Sequence, residues 1–168
     1  RHPVNRELLE AAGVLHDVGY LINYSKHHKH SYHLIAHSDM SGYTNRQREI
    51  VANVARYHRR SHPKQKHSAY RRLSSADLAI VRRLSALLRV ADGLDRSHTQ
   101  SVIDVRAEVI GERAVFRVEA ASPQDVNIWG AQRKAGLFEE EFGLETRFEM
   151  DAPGNGSPSH GRTAAGGL

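Results

Sequence analysis

The side chains in this sequence that suggest chemistry are histidines and aspartates. The adjacent pair His16 and Asp17 is followed by His30, His58 and Asp92, which gives five candidate ligands on four successive elements. Mixed imidazole and carboxylate ligation suits divalent ions such as Mn, Fe, Zn, Ni or Co, with Mg as a further candidate. Such an ion lowers the pKa of bound water from about 15.7 towards 7 and offsets charge on phosphoryl oxygens. We therefore predict hydrolysis of a phosphoester or phosphoanhydride, with His16 and Asp17 as catalytic residues.

Cationic side chains stand next to these candidate ligands. Lys29, Arg59 and Arg96 are neighbours of the ligands in sequence and are predicted to bind phosphate. The net charge is +5, and basic residues crowd between Arg56 and Arg89. Such a field favours a polyanionic partner, either a phosphate polymer or nucleic acid. A solvated basic surface is an equally weighted alternative.

Composition limits the kinds of site that the chain can form. There is no cysteine, which excludes thiolate ligands and nucleophiles. The chain has 12 histidines. Those outside the candidate set are interpreted as surface or packing residues, including His27, His28, His33, His37, His62 and His67. No apolar run approaches the roughly 20 residues that span a bilayer, so we expect no membrane insertion and a cytoplasmic location. The chain begins with Arg1, and we expect it to be a piece of a longer polypeptide.

The first part of the chain has helical periodicity. Apolar residues recur three and four positions apart over 6–18, which predicts a helix with His16 and Asp17 in its last turn. Shorter helices are predicted over 31–39 and over 44–58, the second with a capping box formed by Thr44 and Gln47. A long helix is predicted over 76–95, with a cap at Ser74 or Ser75. Its periodicity places Asp92 on the buried face, where a carboxylate requires a cation or a hydrogen-bond donor.

After residue 100 the period of the apolar residues changes from helical to twofold. Alternation over 103–109 and again over 116–120, on either side of Gly111, predicts a β-hairpin. A helix over 129–142, with Gly143 at its end, is predicted to lead to a last strand over 144–150. Residues 151–168 are rich in Gly, Ser, Pro and Ala and are predicted to be disordered.

Four segments carry a resemblance to a known family. They are LLEAAGVLHDVGYLINYSKHHKHSYHLI, REIVANVARYHRR, LLRVADGLDRSH and NIWGAQRKAGLFEEEFG. Together they resemble the C-terminal HD-like domain of the exopolyphosphatase/guanosine pentaphosphatase (Ppx/GppA) family, over about residues 6 to 150. The resemblance implies polyphosphate or guanosine polyphosphate as partner, and dimers as the family expectation. It also implies that the catalytic site of that family lies in an N-terminal actin-like half, which is missing from this chain.

The HD pattern is a histidine, then His-Asp, then a distant aspartate, with extra histidines in some branches. By resemblance, His16 and Asp17 match the dipeptide, Asp92 the distant aspartate, and His30 and His58 the extra histidines. The first histidine should lie on a preceding helix, which is expected upstream of this chain.

The predicted fold class is mainly α: an HD-type helical bundle over 1–98, a small β-β-α-β subdomain over 99–150, and a disordered tail over 151–168. Two functions are ranked nearly equal. The first is part of a metal-dependent phosphohydrolase. The second is a non-catalytic basic module that binds polyphosphate or a guanosine polyphosphate without a working metal site. RNA binding ranks third, because the strands lack the aromatic motifs of common RNA-binding modules, so a nucleic-acid partner is not expected.

Overall fold

The computed structural model of the protein describes residues 3–123 and 125–151. Its first part is helical, with elements α1 (Pro3–Leu15), α2 (His27–His37), α3 (Asn45–Arg56), α4 (Ser68–Arg71) and α5 (Ser75–Leu94). The second part is mixed, with β1 (Val102–Ile110), β2 (Arg113–Ala120), α6 (Asp125–Lys134), α7 (Gly136–Phe142) and β3 (Glu145–Met150). The predicted fold class, mainly α with an α+β addition, is confirmed. Apart from Asp151, the predicted tail over 151–168 lies outside the described residues.

Local capping sets where two of the main helices begin. Thr44 accepts a hydrogen bond from the backbone N–H of Gln47, and the Gln47 side chain accepts from the backbone N–H of Thr44 in return. This is the predicted capping box at the start of α3. Ser74 accepts from the backbone N–H of Asp77 in the same way and begins α5. Each cap satisfies backbone donors that the helix itself leaves unpaired.

The helical part is built around α3. One face of α3 buries Ile50, Val51 and Val54, which pack against Leu8 of α1 and Val81 of α5 within one apolar cluster. All five side chains are essentially inaccessible to solvent. Burial of a side chain of this size contributes about 1.5–3 kcal/mol. This cluster fixes α1, α2, α3 and α5 relative to one another, and these helices carry the candidate ligands.

The second part is a three-stranded sheet covered by two helices. β1 and β2 form the predicted antiparallel hairpin, and β3 lies parallel to β2 on its other side. Phe116 stacks on Phe148 with ring centroids 5.0 Å apart and meets Phe138 of α7 edge-on at 5.4 Å. The single helix predicted over 129–142 is wrong in detail, because two helices meet near Ala135 and the first already begins at Asp125.

The two parts meet where α5 contacts α6. A Cβ added at Gly93 would lie 2.6 Å from the Cα of Ala131, and one at Gly130 would lie 2.6 Å from the carbonyl oxygen of Gly93. Only glycine therefore permits this backbone contact. α5 also supplies Val90 and Leu94 to the apolar cluster of the second part. The predicted boundary between residues 98 and 99 stays a prediction.

Among the described residues, no helix combines the length and the apolar character needed to cross a membrane.

Candidate metal centre

The turn that follows α1 carries the first two candidate ligands. α1 ends just before His16, so His16 and Asp17 lie beyond the helix and not in its last turn as predicted. Buried Ser31 of α2 donates to the carbonyl of His16 at 2.5 Å and accepts from the N–H of Gly19 at 2.9 Å. A Cβ at Gly19 would lie 2.1 Å from the carbonyl oxygen of His27. The turn therefore packs directly on α2 and holds Asp17 beside the start of that helix.

Three potential ligand atoms converge at this place. The Nε2 atom of His27 lies 3.2 Å from the Nε2 atom of His58 and 3.2 Å from Oδ1 of Asp17. The Nε2 atom of His58 lies 3.6 Å from the same oxygen. Both histidines are almost fully buried, and Asp17 is half-buried. A tetrahedral ion with bonds of about 2.1 Å holds its ligand atoms about 3.4 Å apart, which matches this spacing.

The histidine rings are oriented by backbone carbonyls. In each ring Nδ1 lies within hydrogen-bond distance of the carbonyl three residues earlier, and a carbonyl can only accept, so Nδ1 carries the proton. The distances are 2.6 Å from His16 to Gly13, 3.2 Å from His27 to Tyr24, and 2.6 Å from His58 to Ala55. Metal-binding histidines usually donate their second nitrogen in this way. In the neutral rings of His27 and His58, the Nε2 lone pairs are therefore available for a ligand.

The protonation of Nδ1 in His27 and His58 creates an electrostatic repulsion between their Nε2 atoms and Asp17. With both Nδ1 atoms protonated, two Nε2 lone pairs and a carboxylate oxygen face one another. Acceptors at this separation repel unless a cation lies between them. The guanidinium of Arg59 lies 3.4 Å from the Nε2 atom of His27 and supplies part of that positive charge. The donor set therefore fits a divalent ion held by Asp17, His27 and His58.

His16 and Asp92 extend this cluster. The Nε2 atom of His16 lies 3.3 Å from Oδ2 of Asp17 and 3.8 Å from Oδ1 of Asp92. Burial opposes a charge on His16, but its bonds to Asp17 and to the Gly13 carbonyl, with the attraction of both carboxylates, raise its pKa. Asp92 also receives a hydrogen bond from the ammonium group of Lys134 in α6. The buried face predicted for Asp92 is thus confirmed, since only 10% of its side chain is exposed, and its partner is a lysine.

For the other two histidines, burial outweighs the groups that favour the charged form. It lowers the pKa of His58 to about 3 and also lowers the pKa of His27. Burial disfavours the charged form of Asp17 too, but the hydrogen bond from His16 and the attraction of its positive charge lower the pKa of Asp17 overall. Neutral imidazoles beside an ionised carboxylate are the protonation states that metal binding requires.

A cavity of about 550 Å³ opens over this cluster. Asp17, His27, His58 and Asp92 form part of its wall. The remaining charged side chains of its wall are six cations: Arg59, Arg60, Arg89, Arg96, Arg133 and Lys134. The charge of the cavity wall is therefore mainly positive, and the two carboxylates lie beside the imidazoles of His27 and His58.

Arg89 holds the loop that carries Arg59 and Arg60 in place. This buried guanidinium donates to the carbonyl of Tyr57 at 3.0 Å and to the carbonyl of Arg60 at 3.2 Å. Burial lowers the pKa of Arg89, although its two carbonyl acceptors favour the guanidinium. The position of Arg59 and Arg60 above the cluster is thus fixed by the interior of the helical part.

The family model described as "Ppx/GppA phosphatase, domain III" matches residues 2–137, which is most of the chain. The chain belongs to this domain III family.

The curated relatives of this domain III chain are similar over short stretches. Three are named guanosine-5'-triphosphate,3'-diphosphate pyrophosphatase, from Pseudoalteromonas atlantica (42% identical over 52 residues), Pseudoalteromonas translucida (36% over 52) and Vibrio campbellii (35% over 57). The matched stretches cover 31–34% of this chain and only 10–12% of each relative. The chain therefore spans a small part of the relatives that it matches.

The structure brings together four of the five predicted ligands of this domain III chain. His16, Asp17, His58 and Asp92 lie close together, and the last three line the cavity. Half-buried His30 lies outside the convergent group of ligand atoms. His27 occupies the place predicted for His30. α2 begins at His27 and not near residue 31, so His27 is the histidine at the helix start, and the local sequence pattern did not indicate this. The HD type of the domain stays a prediction.

Two of the three predicted phosphate-binding residues line the large cavity. Arg59 and Arg96 do, but Lys29 lines a second, smaller cavity. Sequence reasoning missed Arg89 and Lys134. Lys134 stands 42 positions after Asp92, and nothing in the local pattern of α6 indicates that it reaches that carboxylate.

Proposed function

We propose that this domain III chain binds a divalent metal ion through Asp17, His27 and His58 and holds a phosphate compound in the cavity above the ion. The observation that carries the proposal is the convergence of two imidazole lone pairs and a carboxylate oxygen at 3.2–3.6 Å. The orientation of both histidine rings by backbone carbonyls supports this proposal, since metal-binding histidines are usually oriented in this way. His16 and Asp92 stand within reach as additional ligands.

The chemistry proposed for the intact protein is hydrolysis of a phosphoanhydride. A bound divalent ion supplies Lewis acidity to a phosphoryl group. Arg59 and Arg96 from the first part of the chain, with Arg133 from α6, would bind the remaining phosphoryl oxygens, since guanidinium groups match their geometry. Tyr20 and Trp129 also line the cavity.

The substrate class proposed is a polyphosphate or a guanosine polyphosphate. The relatives' name describes a pyrophosphatase of guanosine 5'-triphosphate 3'-diphosphate, which carries five phosphates. Six cations around two carboxylates suit a ligand with several negative charges.

Metal binding is tested by titrating the chelator-treated chain with Mn²⁺ or Co²⁺ and measuring heat and quenching of Trp129. Trp129 is the only tryptophan of the sequence and lines the cavity, so it reports the site directly. We expect one ion per chain in the wild type. His27→Gln and Asp17→Asn should each weaken binding at least tenfold, which corresponds to the loss found when one ligand or its orienting partner is removed.

The matched control is His30→Gln, on the same helix three residues further on. This variant should bind the ion as the wild type does. Equal losses in His27→Gln and His30→Gln, or no binding by the wild type, would contradict the proposed ligand set. Circular dichroism of each variant separates loss of ligand from loss of fold.

A second candidate function is favoured by Lys134. Its ammonium group pairs with Asp92 and neutralises that carboxylate. The other cations of the cavity would then attract a phosphate compound without a metal ion. Lys134→Gln separates the two functions: it should strengthen Mn²⁺ binding severalfold if the centre is a metal site. If the cavity is only a basic phosphate site, the same variant weakens tripolyphosphate binding and chelators have no effect on that binding.

A further inference from the structure

A second cavity lies beside the metal centre and has a different character. Its volume is about 150 Å³, and it shares Arg59 and Arg60 with the large cavity. The other side chains of its wall are His28, Lys29, Arg56, Tyr57, Ser61 and His67. No carboxylate is among these lining residues, in contrast to the large cavity with Asp17 and Asp92.

The cations of this small cavity are not neutralised by the protein. Among residues 3–123 and 125–151, Lys29, Arg56, Arg59 and Arg60 form no ion pair with a carboxylate. The guanidinium of Arg56 lies over the ring of Tyr57, 5.7 Å from its centroid, and has no carboxylate partner among these residues. Four like charges around one small volume repel one another, so an anion there would relieve the repulsion.

His28 is the second, independent indication of a ligand. Its side chain is only 9% exposed and belongs to the wall of the small cavity. Within the described part of the chain, the buried Nδ1 atom of His28 has no hydrogen-bond partner. A buried polar group without a partner costs about 1–3 kcal/mol, and such groups in folded proteins usually meet a water or a ligand.

The backbone of this wall is held in an unusual conformation. The backbone of Arg60 has φ 63°, in the left-handed region that residues other than glycine and asparagine seldom adopt. Arg89 keeps it there by donating to its carbonyl. Residues held in this region cluster where a ligand is clamped, since the surrounding structure must compensate for the strain.

From these contacts we infer that the small cavity is a separate binding site for a phosphoryl group, formed by His28, Lys29, Arg56 and the Arg59-Arg60 pair. Its volume equals that of about five water molecules at ~30 Å³ each, which accommodates a tetrahedral oxyanion and excludes a nucleoside. Guanidinium and ammonium groups provide charge-assisted hydrogen bonds to such an oxyanion. The site uses no metal ligand and goes beyond the proposed function of the large cavity.

The position of Arg59 and Arg60 on both walls gives the site a role relative to the metal centre. One phosphoryl group in the small cavity and another in the large one would contact the same pair of guanidinium groups. A ligand with a single phosphoryl group fills one cavity, whereas a chain of phosphoryl groups has cations along its whole path. The small cavity would thus select for phosphate chains over monophosphates.

The test is an NMR titration of the chelator-treated chain with orthophosphate and with tripolyphosphate, at constant ionic strength set with sodium chloride. The side-chain signals of His28 and Lys29 report the small cavity, and those of Trp129 report the large one. We expect saturable shifts of His28 and Lys29 signals. Lys29→Gln and Arg56→Gln should each weaken the binding about tenfold, as expected for loss of one charge-assisted hydrogen bond.

The matched control is Arg72→Gln, an exposed arginine near Tyr32 that lines neither cavity, which should leave the titration unchanged. Shifts with orthophosphate identify free phosphate as a ligand, and shifts with tripolyphosphate alone identify a phosphoryl group within a chain. Either result supports the site. Absence of His28 shifts with both probes, or equal weakening by Arg72→Gln and Lys29→Gln, overturns it.

Failure of this proposal and failure of the metal proposal are distinguishable. Asp17→Asn removes a ligand of the metal centre but contributes nothing to the wall of the small cavity. The shifts of His28 and Lys29 should therefore survive in Asp17→Asn. If they are lost together with metal binding, the small cavity is not an independent site.

Discussion

The helical part and the sheet part of the molecule differ in where they keep their polar groups. Among the described residues, the buried polar and charged side chains lie almost entirely in the helical part, and only Asn127 belongs to the second part. In the sheet, by contrast, charged side chains pair on the surface, as Arg113 does with Glu145 and Arg117 with Glu108. Side chains in these pairs are 41–67% exposed.

This difference places the candidate site in the helical part. Burying a histidine or an arginine costs free energy that apolar packing must offset. In the helical part, buried His27, His58 and Arg89 lie together, close to the two cationic cavities. The sheet part is an apolar cluster with a solvated exterior. Its contribution to the site is α6, which supplies Lys134 and Arg133 to the cavity wall.

The largest effect is expected from a substitution at the glycine contact that joins the two parts. Gly93→Ala places a methyl group 2.6 Å from the backbone of Ala131, which the helices can relieve only by moving apart. We expect a loss of about 1–3 kcal/mol in the free energy of unfolding, because overpacking forces backbone shifts. Urea denaturation measures it.

The control for this variant is Gly13→Ala, inside α1. There the nearest atom to an added Cβ is a flexible leucine methyl at 4.0 Å, so the alanine should gain up to about 1 kcal/mol from helix propensity. If both variants have the same effect, the contact between α5 and α6 does not hold the two parts together.

A smaller effect is expected from the buried acid of the helical part that lies far from the cavities. Arg46 donates to Asp77 through Nε at 3.0 Å, and only 7% of the Asp77 side chain is exposed. Asp77→Asn should cost on the order of 1 kcal/mol at neutral pH. The measurement is the midpoint of urea unfolding in both proteins.

The pH dependence of that loss follows from the pKa of Asp77. The hydrogen bond from Arg46 outweighs burial and lowers this pKa. The stabilisation is therefore complete above the unfolded pKa of about 3.9 and is lost as pH falls through the lower folded value. Wild type and Asp77→Asn should converge in stability at that acidic end. A difference that persists there would show that the charge is not the cause.

The smallest effect is expected in the sheet part. Arg117 lies between Glu108 and Glu149 on the exposed face. Ion pairs in water contribute little, because solvent and salt screen them. Arg117→Gln should leave the thermal midpoint within error of the wild type in 150 mM salt. A loss as large as that of Asp77→Asn would remove the distinction between the two parts.

The elements of the fold were largely predictable, because they depend on local patterns. The box at Thr44, the cap at Ser74, the long α5 and the hairpin around Gly111 each follow from residues within a few positions of one another. The break near Ala135 was not predicted, since the apolar residues continue across it. The parallel pairing of β3 with β2 was not indicated either, because strand order depends on contacts distant in sequence.

For the candidate site, the sequence by itself determined the residue types: histidines and aspartates as candidate ligands, an Asp92 on the buried face, and surrounding arginines. Only the tertiary structure decided which histidine takes part, because His27 and His58 stand 31 positions apart and meet through the packing of α2 on α3. It also decided that Asp92 faces Lys134, on a helix from the second part. Spacing along the chain specifies residue types on one helical face, whereas the atoms that converge depend on how separate helices pack.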